Sequence, residues 1–277
     1  MRDVFAQGDR ESVIMNSTVT PISCFVGMFD ILGFRALRNS RSTAGLYQHF
    51  VRSTLPTIEH AAAGARETIT RNGQQFEVPK QGEFSCSYIG FSDTVIFSTP
   101  DDSFTSFLKI VRASRELLQS GFATKTPYRG AIGYGDLIPG PPVFIGSAIE
   151  DAYLGEQSQV WAGCMLTSVA REFIDSRRYL SEFRDFLAAE TANLSENQRE
   201  KVLLAGKHIT DYSVPVSRNP RNSVAEYLTF STYVIDWTVG MFAGAAAQAF
   251  NPAEEDHPAR IIQNTIDFEE WARANNR

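Results

Sequence analysis

A surplus of positive charge is what this chain most lacks. Its 26 Lys and Arg face 32 Asp and Glu, a formal net charge of −6. Broad binding of nucleic acid needs the opposite balance, because phosphate contacts dominate that affinity. A nucleotide ligand stays open, since metal ions neutralise a triphosphate locally. Cysteine is scarce too. Cys24, Cys86 and Cys164 each lie in an apolar run, with no C-x-x-C spacing and an odd count, so buried reduced thiols in a cytosolic protein are expected. His49, His60, His208 and His257 are scattered and read as structural or surface residues. The longest small-apolar run, Val239 to Phe250, falls short of the ~20 residues that cross a bilayer. The opening MRDVFAQGDRESVIMNSTV lacks the continuous apolar stretch of a signal peptide. There is no internal repeat and no low-complexity tract. The expectations are a cytoplasmic location, no membrane span and no nucleic-acid partner.

What is present is a core. With 277 residues and 43% hydrophobic content, the chain suits one large domain, with or without an extension. Residues 1–20 read as a loose arm, 21–240 as the main domain and 241–277 as a C-terminal helical extension. The most informative stretch is Cys24 to Phe34, CFVGMFDILGF. Its first part suits a buried strand. Asp30 would stand at the strand's exit, before a turn and an Arg-rich helical segment. A carboxylate there can hold a hard cation, and the turn's N–H groups can hold phosphate. It can equally cap a helix.

A second stretch, Phe84 to Thr99, reads FSCSYIGFSDTVIFST. Two β-rich runs flank Gly90 to Thr94, which predicts a hairpin with Asp93 at its tip. Asp is ordinary in a hairpin tip. Two carboxylates that each end an apolar strand are less ordinary. If the strands are neighbours, the two converge, and they repel unless a cation lies between them.

Along the chain, residues 22–31 read as a strand. Leu37, Leu46, Phe50, Val51, Leu55 and Ile58 have the spacing of one long helix over 36–64, which Pro56 breaks or kinks. Residues 65–83 read as a variable loop or short hairpin. Strands follow at 84–90 and 94–99. A helix capped by Asp or Ser runs to about Gln119, with Gly121 as its C-cap. Pro127 to Leu137 is a Gly-containing strand whose glycines admit the hairpin or a ligand. After the turn Pro139–Pro142 come a short strand at 143–145, a helix from Gly146 to about Gln159 and a strand at 161–166. Residues 167–206 read as helical. His208 to Val216 and Tyr227 to Trp237 read as strands around a polar turn at 217–223. Helices are expected over 240–249 and 259–274. The order β-α-β-β-α-β, then a short β-α-β, is the ferredoxin-like split βαβ pattern of an α+β protein.

Phe29-Asp30-Ile31-Leu32-Gly33-Phe34 resembles the F-D-I-x-G-F signature of class III nucleotidyl cyclases. Phe91-Ser92-Asp93-Thr94 resembles their second metal-binding motif. Gly146 to Tyr153, GSAIEDAY, with the run on to Trp161, resembles a divergent branch, the bacterial pyrimidine cyclases of Pycsar anti-phage defence. The resemblance covers roughly residues 22–240 and implies a class III cyclase core with C-terminal helical and strand decoration. It implies a uridylate cyclase, with cytidylate cyclase as runner-up, using two Mn²⁺ or Mg²⁺ ions held by Asp30, Asp93 and the Ile31 carbonyl. Leu32, Gly33 and Phe34 would face the phosphates. The partners implied are UTP or CTP, a second copy of the chain sharing the active sites, and a separate effector for the cyclic nucleotide.

The family's purine members carry an Asn and, four residues on, an Arg on the helix that starts here at Gly146. Glu150 and Leu154 stand at those places, and Ile89 and Val143 replace the pair that reads adenine. Arg129 is the candidate for the missing cation, or an edge-strand surface charge. Tyr47 would stack on a small base, or be a helix-surface tyrosine, and Tyr153 joins the candidates on the later helix. The alternatives are a degenerate cyclase acting as a nucleotide-binding sensor, and a palm-type nucleotidyltransferase. The latter usually shows G-G-[DE]-[DE]-F where this chain has Gly90-Phe91-Ser92-Asp93-Thr94.

Overall fold

Strand β1, Ile22–Ile31, has buried residues on both of its faces, Phe25 and Phe29 on one and Cys24, Val26 and Met28 on the other. Such a strand belongs inside a sheet covered on both sides. The computed structural model describes residues 20–63, 66–71, 74–79, 85–138, 144–191, 208–217, 227–250 and 259–275. The expected arm over 1–20 lies almost wholly outside them, as do the Pro139–Pro142 turn and Val143.

After β1 come helices α1 (Phe34–Asn39) and α2 (Thr43–His49), a π-helical turn at Phe50–Thr54, and α3 (Leu55–Ala62). The expected single helix over 36–64 is therefore corrected to three. The first break falls at residues 40–42, where Ser42 caps α2 by accepting a hydrogen bond from Gly45 N–H at 3.2 Å. The second is the π turn, through which the backbone stays right-handed helical, and Pro56 follows it in the first turn of α3, where a break or kink was expected. The polar stretch that follows forms a hairpin, β2 (Arg66–Arg71) with β3 (Gln74–Pro79).

The hairpin β4 (Ser87–Phe91) and β5 (Thr94–Ser98) leads into α4 (Phe104–Ala123). Ser103 caps α4 through Ser106 N–H, and Asp101 accepts from Ser103 N–H, Ser103 Oγ and Ser106 Oγ. Gly121 lies inside α4 and is not its C-cap. A Cβ there would stand 2.6 Å from the Tyr128 ring, so the glycine serves close approach.

Next come β6 (Tyr128–Leu137), α5 (Ser147–Ser158), β7 (Gly163–Leu166), α6 (Ser168–Arg177) and α7 (Tyr179–Thr191). The expected continuous helical stretch from 167 breaks at Arg178, which takes a left-handed φ of 59°. Strands β8 (Ile209–Ser217) and β9 (Tyr227–Ile235) form a hairpin, with β9 ending two residues before the expected Trp237. Only Ala245–Ala249 of the expected 240–249 helix is helical, α8, because Gly240 and Gly244 take φ values of 85° and 81°. Helix α9 is Ala259–Asn275.

The protein is a mixed α and β structure with a seven-stranded mixed sheet, ordered β4-β5-β1-β6-β7-β9-β8. Only β6 and β7 pair parallel, and α5 is the crossover that this requires. Phe25, Phe29, Val95 and Phe97 face a large core with α3 and α4, extended by Trp161, Trp237 and Phe268 of α9. Cys24, Val26 and Met28 face a smaller one with Ala148 and Ala152 of α5. The β6 glycine Gly133 serves α5 and not a ligand: a Cβ there would meet Ala152 N at 2.5 Å. All three cysteines are buried and free. Among the described residues, no helix is long and apolar enough to cross a membrane.

Candidate functional site

The two signature carboxylates come from neighbouring strands. β1 and β5 pair antiparallel, with Asp30 opposite Thr94, the residue after Asp93. The β4–β5 turn has two residues, Ser92 and Asp93. Ser92 takes a left-handed φ of 57°, where such turns usually place glycine. Ile31 N–H donates to Asp93 O at 2.9 Å, tying the turn to the end of β1. Asp30, Ile31, Leu32, Gly33, Phe34, Arg35 and Asp93 line one open recess of about 260 Å³.

The chain leaves β1 through Gly33, whose φ of 79° opens α1 in a conformation that costs glycine least. The Leu32 N–H is committed to Pro127 O at 3.0 Å, so it cannot also serve a phosphate. Gly33 and Phe34 make the adjoining wall. Phe34 also borders a second recess of about 410 Å³, lined with it by Arg38, Tyr47, Phe50, Gly90 and Ser92 among others. Tyr47 is 65% exposed there, so it is a surface tyrosine that borders a second hollow, which shares the lining residue Phe34 with the site.

Arg129 is not an edge residue. Its strand lies between β1 and β7, and the register sets Arg129 directly opposite Asp30. Its guanidinium is held by Glu156 of α5, Nη2 at 2.5 Å and Nε at 2.7 Å from Oε1. Nη1 donates to Gln159 O at 3.2 Å, and Asp30 Oδ2 is farther, 3.7 Å from Nη2. Gln159 is itself pinned, donating to Gly130 O and Gly155 O and accepting from the Trp161 indole. The Asp30 carboxyl is pushed up to about 7, first by burial and then by the Glu156 charge, with Arg129 offsetting and Asp93 adding to it. Around Asp30, three carboxylates, Asp30, Asp93 and Glu156, face two guanidiniums, Arg129 and Arg35.

Tyr153 stands one turn before Glu156 on α5, 42% exposed, and is not among the residues that line either recess. Leu154 is exposed, and so is Glu150 four residues before it. Ile89 is half-buried on β4, while Val143 lies outside the described residues. Arg35 and Arg38, beside the two recesses, had no role in the sequence reading. The Arg-rich run after Phe34 was their only signal. Glu156 and Gln159 fall at the end of the helix expected from Gly146 to about Gln159, but their grip on Arg129 depends on strand pairing.

Among the described residues, no cluster of three or more His, Cys, Asp or Glu side chains is placed to enclose a metal ion. Mg²⁺ and Mn²⁺ do not need one. They are commonly held by one or two carboxylates, with substrate phosphates and water completing the shell. Two carboxylates at an open recess, one of them with its charged form disfavoured by burial and by the neighbouring Glu156, suit that habit. The chain matches no known family model, and no curated protein matches it.

Proposed function

We propose that the protein is a nucleotide cyclase that converts a pyrimidine nucleoside triphosphate, UTP by preference, to its 3′,5′-cyclic monophosphate and pyrophosphate. In that reading it belongs with the class III cyclases, and its product is a second messenger that acts on an effector in anti-phage defence. One observation carries the proposal: Asp30 and Asp93, read from separate motifs, line the same recess. The strand order β4-β5-β1-β6 along a β-α-β-β-α-β chain adds support, since that is the ferredoxin-like arrangement on which such cyclases are built.

The reaction is intramolecular. The substrate's 3′-hydroxyl attacks its own α-phosphorus, so positioning and charge neutralisation matter more than a protein nucleophile. Asp30, Asp93 and the Ile31 carbonyl hold the ions. When bound, Mn²⁺ or Mg²⁺ supplies Lewis-acid neutralisation of the phosphates and favours the ionised hydroxyl. Gly33 lets a phosphate come close to the wall, and Phe34 and Tyr47 border the hollow that takes the base. Ile89, where purine cyclases read adenine, is apolar, and it is not among the residues lining that hollow. A buried purine group left unpaired costs ~1–3 kcal/mol, roughly tenfold in selectivity per group.

A second copy, head to tail, completes each site with Tyr153 and its neighbours on α5. Ile145 and Leu154, each 59% exposed, give α5 and its approach an apolar outer face suited to such a partner.

Incubation with each of the four nucleoside triphosphates and Mn²⁺, read by mass spectrometry, tests the reading. Cyclic UMP is expected. Cyclic CMP as the main product changes only the base. A cyclic purine nucleotide as the main product, or none at all, overturns it. The second reading is a nucleotide-binding sensor, favoured by Glu150 and Leu154 where purine cyclases have Asn and Arg. It predicts tight nucleotide binding without turnover.

A further inference from the structure

Glu156 carries no part of that chemistry, yet it is almost wholly buried, 2% exposed, at the edge of the site. Two side-chain partners hold it: Arg129, and the Gln157 amide donating to Oε2 at 2.6 Å. The sheet sets Arg129 beside Asp30 whatever α5 does, because the two residues face each other across β1 and β6. A guanidinium and a carboxylate placed so would ordinarily close into a two-pronged pair and cover both carboxylate oxygens. They do not. The guanidinium is turned to Glu156 and the Gln159 carbonyl, and Asp30 keeps only a 3.7 Å contact.

We infer that Glu156 is a positioning residue: it holds the Arg129 guanidinium off Asp30 and so keeps the Asp30 carboxylate open to a divalent cation. The inference rests on the metal-site reading of Asp30 and Asp93. Three carboxylates, Asp30, Asp93 and Glu156, share this end of the sheet with one guanidinium that contacts two of them. Arg35 lines the same recess, so the carboxylates outnumber the guanidiniums there by one, a deficit that a bound cation offsets. Without Glu156, Arg129 becomes the cation that fills the deficit.

The test is Mn²⁺ affinity of the full chain, by calorimetry without nucleotide, in a double-mutant cycle. Glu156→Met should weaken binding about tenfold or more in the native background, as Arg129 closes on Asp30. In the Arg129→Met background the same change should matter less than about threefold, because nothing is left to hold. Equal weakening in both backgrounds would mean that Glu156 acts only as a distant charge, and overturns the inference. So does no weakening in the first. If Arg129→Met does not fold, Glu156→Asp replaces it: the charge stays and the reach shortens. Weakened Mn²⁺ binding then supports positioning, and unchanged binding overturns it. If the native chain shows no Mn²⁺ binding that Asp30→Ala removes, the cyclase reading fails, and this inference falls with it.

Discussion

Two glutamates, Glu156 on α5 and Glu269 on α9, are equally buried, and each grips an arginine. Their surroundings differ in one respect. Glu269 accepts from three backbone N–H groups at the start of α8, those of Gly244, Ala245 and Ala246, at 2.9–3.2 Å. Its partner Arg273 bonds the carbonyls of Met241 and Phe242 as well. The charge there is fully answered, so α8 and α9 are stapled together. Glu156 is held only by side chains, and Asp30 beside it is pushed up first by burial and then by the Glu156 charge. A buried charge closed by backbone groups is architecture. A buried charge that unsettles its neighbour prepares a site for something that is not protein.

The largest expected effect lies at the unsettled end. Asp30→Ala or Asp93→Ala should lower metal-dependent turnover roughly a thousandfold, since a bound ion's charge stabilisation is worth several kcal/mol. Both variants should stay folded, because each side chain borders an open recess. Turnover within about tenfold of the native rate, at normal Mn²⁺ dependence, would remove that carboxylate from the site.

Applying one substitution pattern to both glutamates breaks the comparison or sharpens it. Glu269→Met with Arg273→Met leaves three N–H groups of α8 unanswered and should cost about 3 kcal/mol in urea unfolding. Mn²⁺ affinity should not move. Glu156→Met with Arg129→Met removes an ion pair that no backbone N–H depends on, and should change stability by less than about 1 kcal/mol. Equal costs would mean that Glu156 is as structural as Glu269.

How far the sequence showed this depends on how local each feature is. Strand β1 has the bounds read from it, since an apolar run ending at a carboxylate and a glycine needs no distant partner. The β4–β5 hairpin and its Asp93 tip follow from local turn chemistry. The 36–64 region was misread because its apolar spacing continues across the break that Ser42 caps. Gly121 suggested a cap by position, whereas its reason is the Tyr128 ring on another element. Arg129 shows the limit best. A residue that begins a strand looks like an edge charge until the register puts Asp30 opposite it and α5 brings Glu156 over it. The Asp30–Arg129 pairing spans about a hundred residues of chain, beyond any local pattern.

A further expected effect, smaller than the loss at Glu269, separates the two ends by pH. The folded Asp30 carboxyl sits near 7 against an ordinary value of 3.8. Its folded state therefore keeps a proton that the unfolded chain gives up. Below about pH 3.8 both states are protonated, and Asp30 costs nothing. As pH rises from there to about 7 the unfolded chain ionises first, and stability falls. Above 7 the loss is complete, because the folded carboxyl is then charged amid burial and like charges. Asp30→Asn removes that cost. At pH 8, without metal, it should raise unfolding stability by ~2 kcal/mol, a value set below the full shift because the group is partly open to water. At pH 4 the two proteins should match. Mn²⁺ should then stabilise the native chain and leave Asp30→Asn nearly unmoved, so the ranking narrows or reverses when metal is added. A native chain that outlasts Asp30→Asn at pH 8 without metal would show that Asp30 is as well answered as Glu269.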